Sequence, residues 1–167
     1  MIRRGNTERY GYNVRGELIA ATNEVAATNY AYTFDDIGNR IIADELGTNT
    51  AYTANALNQY ISIVHDEEAF MPEFDADGNQ TLVKTTTDIW RVTYNAENRP
   101  VVWSNETAVV TMDFDRMGRR VWHASVSDGV TNAFSKFIYD GYLCVQQIDG
   151  VTGTIDQEFV WDPPETI

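Results

Sequence analysis

The sequence predicts an all-β protein, an antiparallel β-meander of consecutive hairpins in an open or curled sheet. Three observations predict it. First, one pair of residues recurs, an aromatic (once an alanine) followed by Asp or Asn. It stands at Tyr12-Asn13, Phe34-Asp35, Ala54-Asn55, Phe74-Asp75, Tyr94-Asn95, Phe114-Asp115 and Tyr139-Asp140, and from residue 34 to residue 114 the step is always 20. A fixed period of that length marks a repeat architecture. Second, the position four residues after the aromatic holds only Gly or Asn: Gly16, Gly38, Asn58, Gly78, Asn98 and Gly118. These two residue types best tolerate positive φ. Third, the flanks alternate with period two.

Each turn follows from its residues. The side chains of Asn13, Asp35, Asn55, Asp75, Asn95 and Asp115 can accept backbone amides two residues on. With a left-handed residue closing it, the unit reads as a type I turn, a common hairpin connection. The last unit is shortened to Phe137-Ile138-Tyr139-Asp140-Gly141. In Ile89–Tyr94, bulky Trp90, Val92 and Tyr94 alternate with Arg91 and Thr93, and Val110–Phe114 alternates likewise. Period two with β-branched and aromatic residues is strand. Arg120–Val126 and Ile61–Val64 are strand-like after their turns. The joining segments, about residues 43–50, 65–72, 83–88, 105–109 and 127–133, are rich in Asn, Thr, Asp and Gly and hold the second turns. Glu17 to Ala27 is the best helical candidate, interrupted by Asn and Thr. Two strands per unit give about 12 to 14 strands. Equal offsets stack Phe34, Phe74, Tyr94, Phe114 and Tyr139 on neighbouring units, and Tyr52 fills in for Ala54 on the same face.

The chain of 167 residues reads as a single domain, 1–167. Its repeat turns lie near 12–18, 34–40, 54–60, 74–80, 94–100, 114–120 and 139–143, and a C-terminal segment spans 159–167. With 12 basic and 25 acidic residues the net charge is −13. Such a surface repels phosphate backbones and argues against nucleic-acid binding. Cys144 is the one cysteine, which excludes an intramolecular disulfide and a cysteine-based zinc site and reads as a small core residue. No stretch has the roughly 20 apolar residues of a membrane-spanning helix. The segment after Arg3-Arg4 lacks the apolar run of a secretory signal.

Candidate chemistry is sparse. Asp75-Ala76-Asp77-Gly78-Asn79 begins like a calcium loop, but Thr86 stands where such a loop needs its Glu, so the expectation is a repeat turn and no metal. His65 and His123 sit on different units without partners at ligand spacing. No serine lies in a nucleophile elbow. Asp66-Glu67-Glu68 reads as an exposed loop run. The expectation is a protein without catalytic residues or cofactors. Its interaction residues are aromatics: Phe34, Phe74, Trp90, Tyr94, Trp103, Phe114, Trp122, Tyr139 and Trp161.

Phe114-Asp115-Arg116-Met117-Gly118-Arg119-Arg120-Val121 closely resembles the YD repeat of the Rhs family, aromatic-Asp-x-x-Gly-Arg-Leu. Phe34–Ile41 fits nearly as well, and Tyr12–Leu18 fits with Glu17 in place of Arg. Phe137–Gly141 is similar to the last YD repeat of an Rhs core, and Phe159–Pro163 to the segment after it. The resemblance implies a non-catalytic β-scaffold of a bacterial surface-exposed or secreted protein. Family shells of this kind enclose or present a C-terminal toxin or effector. Its partners would be further YD repeats, copies of itself joined at sheet edges, or an effector segment on an aromatic face. A carbohydrate- or cell-surface-binding module is the alternative, with Trp90, Trp103, Trp122 and Trp161 stacking on sugar rings. About 14 strands at about 4.8 Å span about 65 Å, too little to close around a folded domain.

Overall fold

A computed structural model describes residues 8–24 and 26–161. It contains sixteen strands and, among the described residues, no helix. They pack as two compact units, one ending at Glu73 and the next starting at Phe74. The first sheet runs in chain order through β1 (Glu8–Tyr12), β2 (Leu18–Asn23), β3 (Thr28–Phe34), β4 (Arg40–Glu45), β5 (Thr48–Ala54), β6 (Tyr60–His65) and β7 (Glu68–Phe70). The second holds β8 (Glu73–Phe74), β9 (Gln80–Lys84), β10 (Ile89–Tyr94), β11 (Pro100–Ser104), β12 (Ala108–Phe114), β13 (Arg120–Ser127), β14 (Val130–Asp140), β15 (Leu143–Asp149) and β16 (Ile155–Glu158). Both are antiparallel meanders, and neither closes into a barrel.

Sixteen strands exceed the 12 to 14 expected, for two reasons. The strand preceding the Asp75 turn is interrupted at Met71-Pro72 and counts twice, as β7 and β8. Proline has no N–H to donate, so it interrupts a ladder where it stands. The other addition is β16, which pairs with β15 beyond the seventh repeat turn. The helical candidate Glu17 to Ala27 forms β2 and part of its following turn. Hydrogen bonding to β1 and β3 on its two sides outweighs the weak helix preference of its alanines.

Alternation sorts each sheet into two unlike faces. On β3–β6 one face carries Tyr30, Tyr32, Phe34, Tyr52 and Tyr60, and the other carries Ala31, Thr33, Ile42, Ala51 and Val64. Burial is shallow throughout. Ala43 at 1%, Val92 at 4% and Phe70 at 7% exposure are the buried apolar residues among those described. Cys144, expected in a core, is half-buried.

The turns fall into two series. One is the aromatic-Asx series, described below. The opposite series joins one unit to the next, and three of its members are two-residue hairpins. Leu46-Gly47, Asp66-Glu67 and Asp128-Gly129 all have positive φ, as a type I′ turn demands. Asp66 (φ 50°) and Glu67 (φ 68°) take this conformation with no glycine at all. The exposed acidic run of the sequence is therefore a tight, strained hairpin. Replacing Asp66-Glu67 by Asn-Gly should raise stability by about 1 kcal/mol, because these residues enter the left-handed region at least cost. Urea denaturation of the double variant checks this; an unchanged or lower midpoint would contradict the turn geometry.

Candidate interaction surface and its turn ladder

In all six full repeats the Asx residue organises the turn in the same way. Asp35 Oδ1 accepts the amides of Ile37 at 3.0 Å and Asn39 at 2.8 Å. The Asp35 amide donates to the Asn39 carbonyl, and the Gly38 amide donates to the Asp35 carbonyl. Asn13, Asn55, Asp75, Asn95 and Asp115 repeat the whole set. The closing residues Gly16, Gly38, Asn58, Gly78, Asn98 and Gly118 have φ between 58° and 94°. Gly141 closes the shortened last turn after Asp140, with φ 56°. Next to the turns at 13, 35, 55, 95, 115 and 140 the ladder slips by a residue where the aromatic (or Ala54) stands.

In five of the six turns the residue four after the Asx completes the turn by matching donor to acceptor; in the sixth, Arg99 pairs with Glu97 instead. Where the Asx is Asp, that residue donates: Asn39 Nδ2 to Asp35 at 2.8 Å, Asn79 Nδ2 to Asp75 at 3.0 Å and Arg119 Nε to Asp115 at 2.7 Å. Where the Asx is Asn, Glu17 and Gln59 accept instead, from Asn13 and Asn55. These bonds set the ionisation. The Asn39 side chain holds the Asp35 carboxyl below its ordinary range, Asn79 does so for Asp75, and Arg119 for Asp115, with turn amides adding to each.

Side chains of five of these turns reach onward to the next turn. Asn39 Nδ2 donates to Asn58 Oδ1 at 3.2 Å, and Asn79 Nδ2 to Asn98 Oδ1 at 2.9 Å. Arg15 reaches the carbonyls of Asp35 and Asp36, Arg99 that of Asp115, and Arg119 that of Gly141. Here lies the choice between Gly and Asn at the left-handed position. Asn58 and Asn98 receive an amide from the preceding turn. At Gly118 a Cβ would stand 2.9 Å from Arg99 Nη2, so the glycine makes room for the arginine.

A second set of bridges ties aromatic tips to the preceding hairpin. Tyr94 O–H donates to the Gln80 carbonyl at 2.9 Å, Tyr139 O–H to that of Arg120 at 2.9 Å, and Trp161 Nε1–H to that of Cys144 at 2.7 Å. The Arg40 amide donates to Tyr60 Oη at 2.8 Å. Arg40 and Arg120 are the ladder partners of Phe34 and Phe114, beside the slip in register. A slip leaves ladder groups unpaired, and these phenolic tips satisfy them.

The aromatics do not stack as expected. Among the described residues no ring pair joins Phe34, Phe74, Tyr94, Phe114 and Tyr139. Equivalent positions lie two strands apart, roughly 10 Å, with a return strand between. Arginines one residue before that strand fill the gap: Arg99 lies over Phe114 at 5.8 Å and Arg119 over Tyr139 at 4.9 Å. Opposite Ala54 the gap is filled by its ladder partner Tyr60, whose ring lies 5.2 Å from Tyr52.

The four tryptophans separate. Trp90 and Trp103 share a face and, with Thr85, Val110 and Met112, line an apolar trough of about 310 Å³. It shares Thr85 with a polar cleft of about 440 Å³ that includes Thr86, Asp88, Asn105 and Glu106. Trp122 stands on the opposite face, in edge contact with Phe134 at 6.1 Å, and Trp161 is held through its indole N–H. Trp161 and the residues before it are the described part of the expected C-terminal segment; 162–167 lie outside the described residues.

Compared with family models and with curated proteins, the sequence matches none. The fold has solved counterparts. A crystal structure of TcdB2-TccC3 without its hypervariable C-terminal region superposes with a TM-score of 0.59 at 14% identity. The match covers 87% of this chain and 9% of that one. The likeness is one of fold, a β-rich meander.

No three side chains among His, Cys, Asp and Glu gather in a metal-holding group among the described residues. In the calcium-like segment, Asp75 already spends both oxygens on its own turn. His65 Nδ1 lies 2.7 Å from Thr50 Oγ1. His123 is different. Its ring stacks on Phe137 at 5.5 Å, and its buried Nδ1 has no partner among the described residues. Burial, with Arg120 nearby, lowers its pKa from 6.5.

Two predictions follow from this geometry. Gly16 has open space around its Cβ position, whereas Gly118 faces Arg99. Since Asn tolerates the left-handed region, Gly16→Asn should be nearly neutral, and Gly118→Asn should cost about 1 kcal/mol by displacing the Arg99 bond. Equal losses in paired denaturation curves would refute the room-making role of Gly118. Stability should also fall with acid in two steps. A depressed histidine pKa means that the unfolded chain binds the proton first, so stability drops as pH falls through about 6.5. The depressed carboxyls of Asp35, Asp75 and Asp115 hold their contribution above about 4 and lose it below. Thermal melts across pH should show both steps, and His123→Gln should erase only the upper one.

Proposed function

We propose that this chain is a non-catalytic structural module, an arc of an Rhs-type β-shell that encloses or presents a C-terminal effector. The observation that carries the reading is the turn ladder. Within each sheet, consecutive hairpins are bridged side to side at their turn ends, which builds an extendable wall without converging on a reaction centre. The fold likeness to 9% of a much longer chain supports it, and so does the YD-type spacing. That longer chain is described as lacking a hypervariable C-terminal region, which matches a scaffold serving a variable cargo. Partners would be further repeats, a second copy, or an effector segment on an aromatic face. The setting would be the bacterial cell surface or the medium.

A wall of this kind joins its neighbours by strand pairing, and β16 offers a four-residue exposed strand for it. Light scattering coupled to small-angle X-ray scattering should show association that rises with concentration. Ile155→Lys with Gln157→Lys should suppress it, because lysines on an edge oppose pairing. A strict monomer at every concentration, unaffected by the lysines, would defeat the scaffold reading.

One observation favours a second reading, a carbohydrate-binding module. The Trp90–Trp103 trough adjoins a cleft of hydroxyl, amide and carboxylate groups, a pairing suited to a sugar ring. Glycan-array signal lost on Trp103→Ala would support it, and an array without hits would end it.

A further inference from the structure

We propose that the small-residue face of the first unit holds a lysine or arginine side chain of a partner polypeptide, in a trough that runs over Ala51 to the Asp66-Glu67 turn. The inference does not depend on the shell reading. The trough, of about 510 Å³, is lined by Ile42, Asn49, Ala51, Val64, Asp66 and Glu67, with backbone of Gly47 at its rim. Ladder pairing sets Ile42, Ala51 and Val64 side by side on three adjacent strands, β4, β5 and β6. The alanine between two larger residues makes the notch. A Cβ added at Gly47 would meet nothing within 4 Å, so that rim is low.

The floor and the mouth differ in character, and the difference selects the occupant. The floor is aliphatic, and Ile42 leaves 41% of its surface exposed. The mouth carries two adjacent carboxylates on a strained type I′ turn. From Ala51 to Asn49 along β5 is about 7 Å, close to the length of an extended lysine stem. A lysine or arginine lays its methylenes on apolar surface and keeps its charged end at the polar rim. A purely apolar residue would leave the carboxylates unanswered, and an acidic one would be repelled.

Charge across the unit points the same way. Residues 1–73 contain eleven carboxylates and five arginines, with no lysine. The three arginines among the described residues are engaged elsewhere: Arg9 with Glu24, Arg15 with Glu17, and Arg40 over the Tyr32 and Tyr52 rings. A basic segment of a partner supplies what the unit lacks. Several such contacts along a polypeptide add through effective concentration, so one weak pocket suffices as an anchor.

The test is a methyl NMR titration of the full chain with acetyl-Gly-Lys-Gly-amide and its arginine analogue. Norleucine and glutamate analogues serve as controls. The basic peptides should shift the Ala51, Val64 and Ile42 methyls in a saturable way. Asp66→Asn with Glu67→Gln should weaken this by about fivefold, the size of a partly exposed ion pair. Ala51→Leu should abolish it by filling the notch. The charge variant sits in an exposed turn, so it tests the proposal even if Ala51→Leu misfolds. Equal shifts from the norleucine peptide would overturn the proposal. So would shifts confined to acidic turns without the methyls, or no shift at all.

Discussion

One side-chain oxygen in each of the six full repeats carries the architecture. It belongs to the Asx residue after the aromatic and accepts two backbone amides of its own turn. Without it those amides would face solvent, and the three-residue connection would have little to distinguish it from other loops. With it the chain reverses at a set residue, the ladder slips by one, and the return strand begins in a fixed register. A one-residue error there would send every following side chain to the wrong face. The turn therefore sets which side chains share a face.

Repetition then turns a local device into a lateral one. Within each sheet a side chain of one turn reaches to the next, so neighbouring hairpins are tied at the turn end. Tyrosine and tryptophan tips make further ties along the strands, where the slipped ladder leaves groups unpaired. These contacts matter because burial within each sheet is shallow: three apolar residues among those described fall below a tenth exposed. Hydrogen bonds of this kind contribute about 1 kcal/mol each, so a wall held by them gains through number and regularity rather than through a deep core.

A sheet with two unlike faces is also a surface with two vocabularies. The aromatic face carries flat rings with arginines laid between them. In the first sheet the other carries alanine, threonine and aliphatic side chains, and in the second it also carries Trp122 against Phe134. Such a sheet therefore presents different chemistry on its two sides from one repeated sequence. Acidity alone does not decide this. What matters is where arginines are already engaged, as Arg40 is by tyrosine rings and Arg15 by Glu17.

The all-β class, the meander and the hairpin pitch are determined by the sequence alone, because each rests on short-range rules. An Asx followed three residues later by Gly or Asn makes its turn from backbone conformational preference and local hydrogen bonds, whatever surrounds it. The side-to-side contacts are another matter. That Gly118 leaves room for Arg99, and that Asn58 and Asn98 receive an amide from the turn before, both depend on residues about twenty apart meeting between neighbouring hairpins. The expected aromatic stack failed for the same reason, since equal sequence offsets placed the rings two strands apart. Pro72, one residue among four prolines, splits a strand that its neighbours would have continued. Local chemistry wrote the hairpins, and only the tertiary structure decided which of their side chains touch, because contact is set by strand spacing and face rather than by sequence distance.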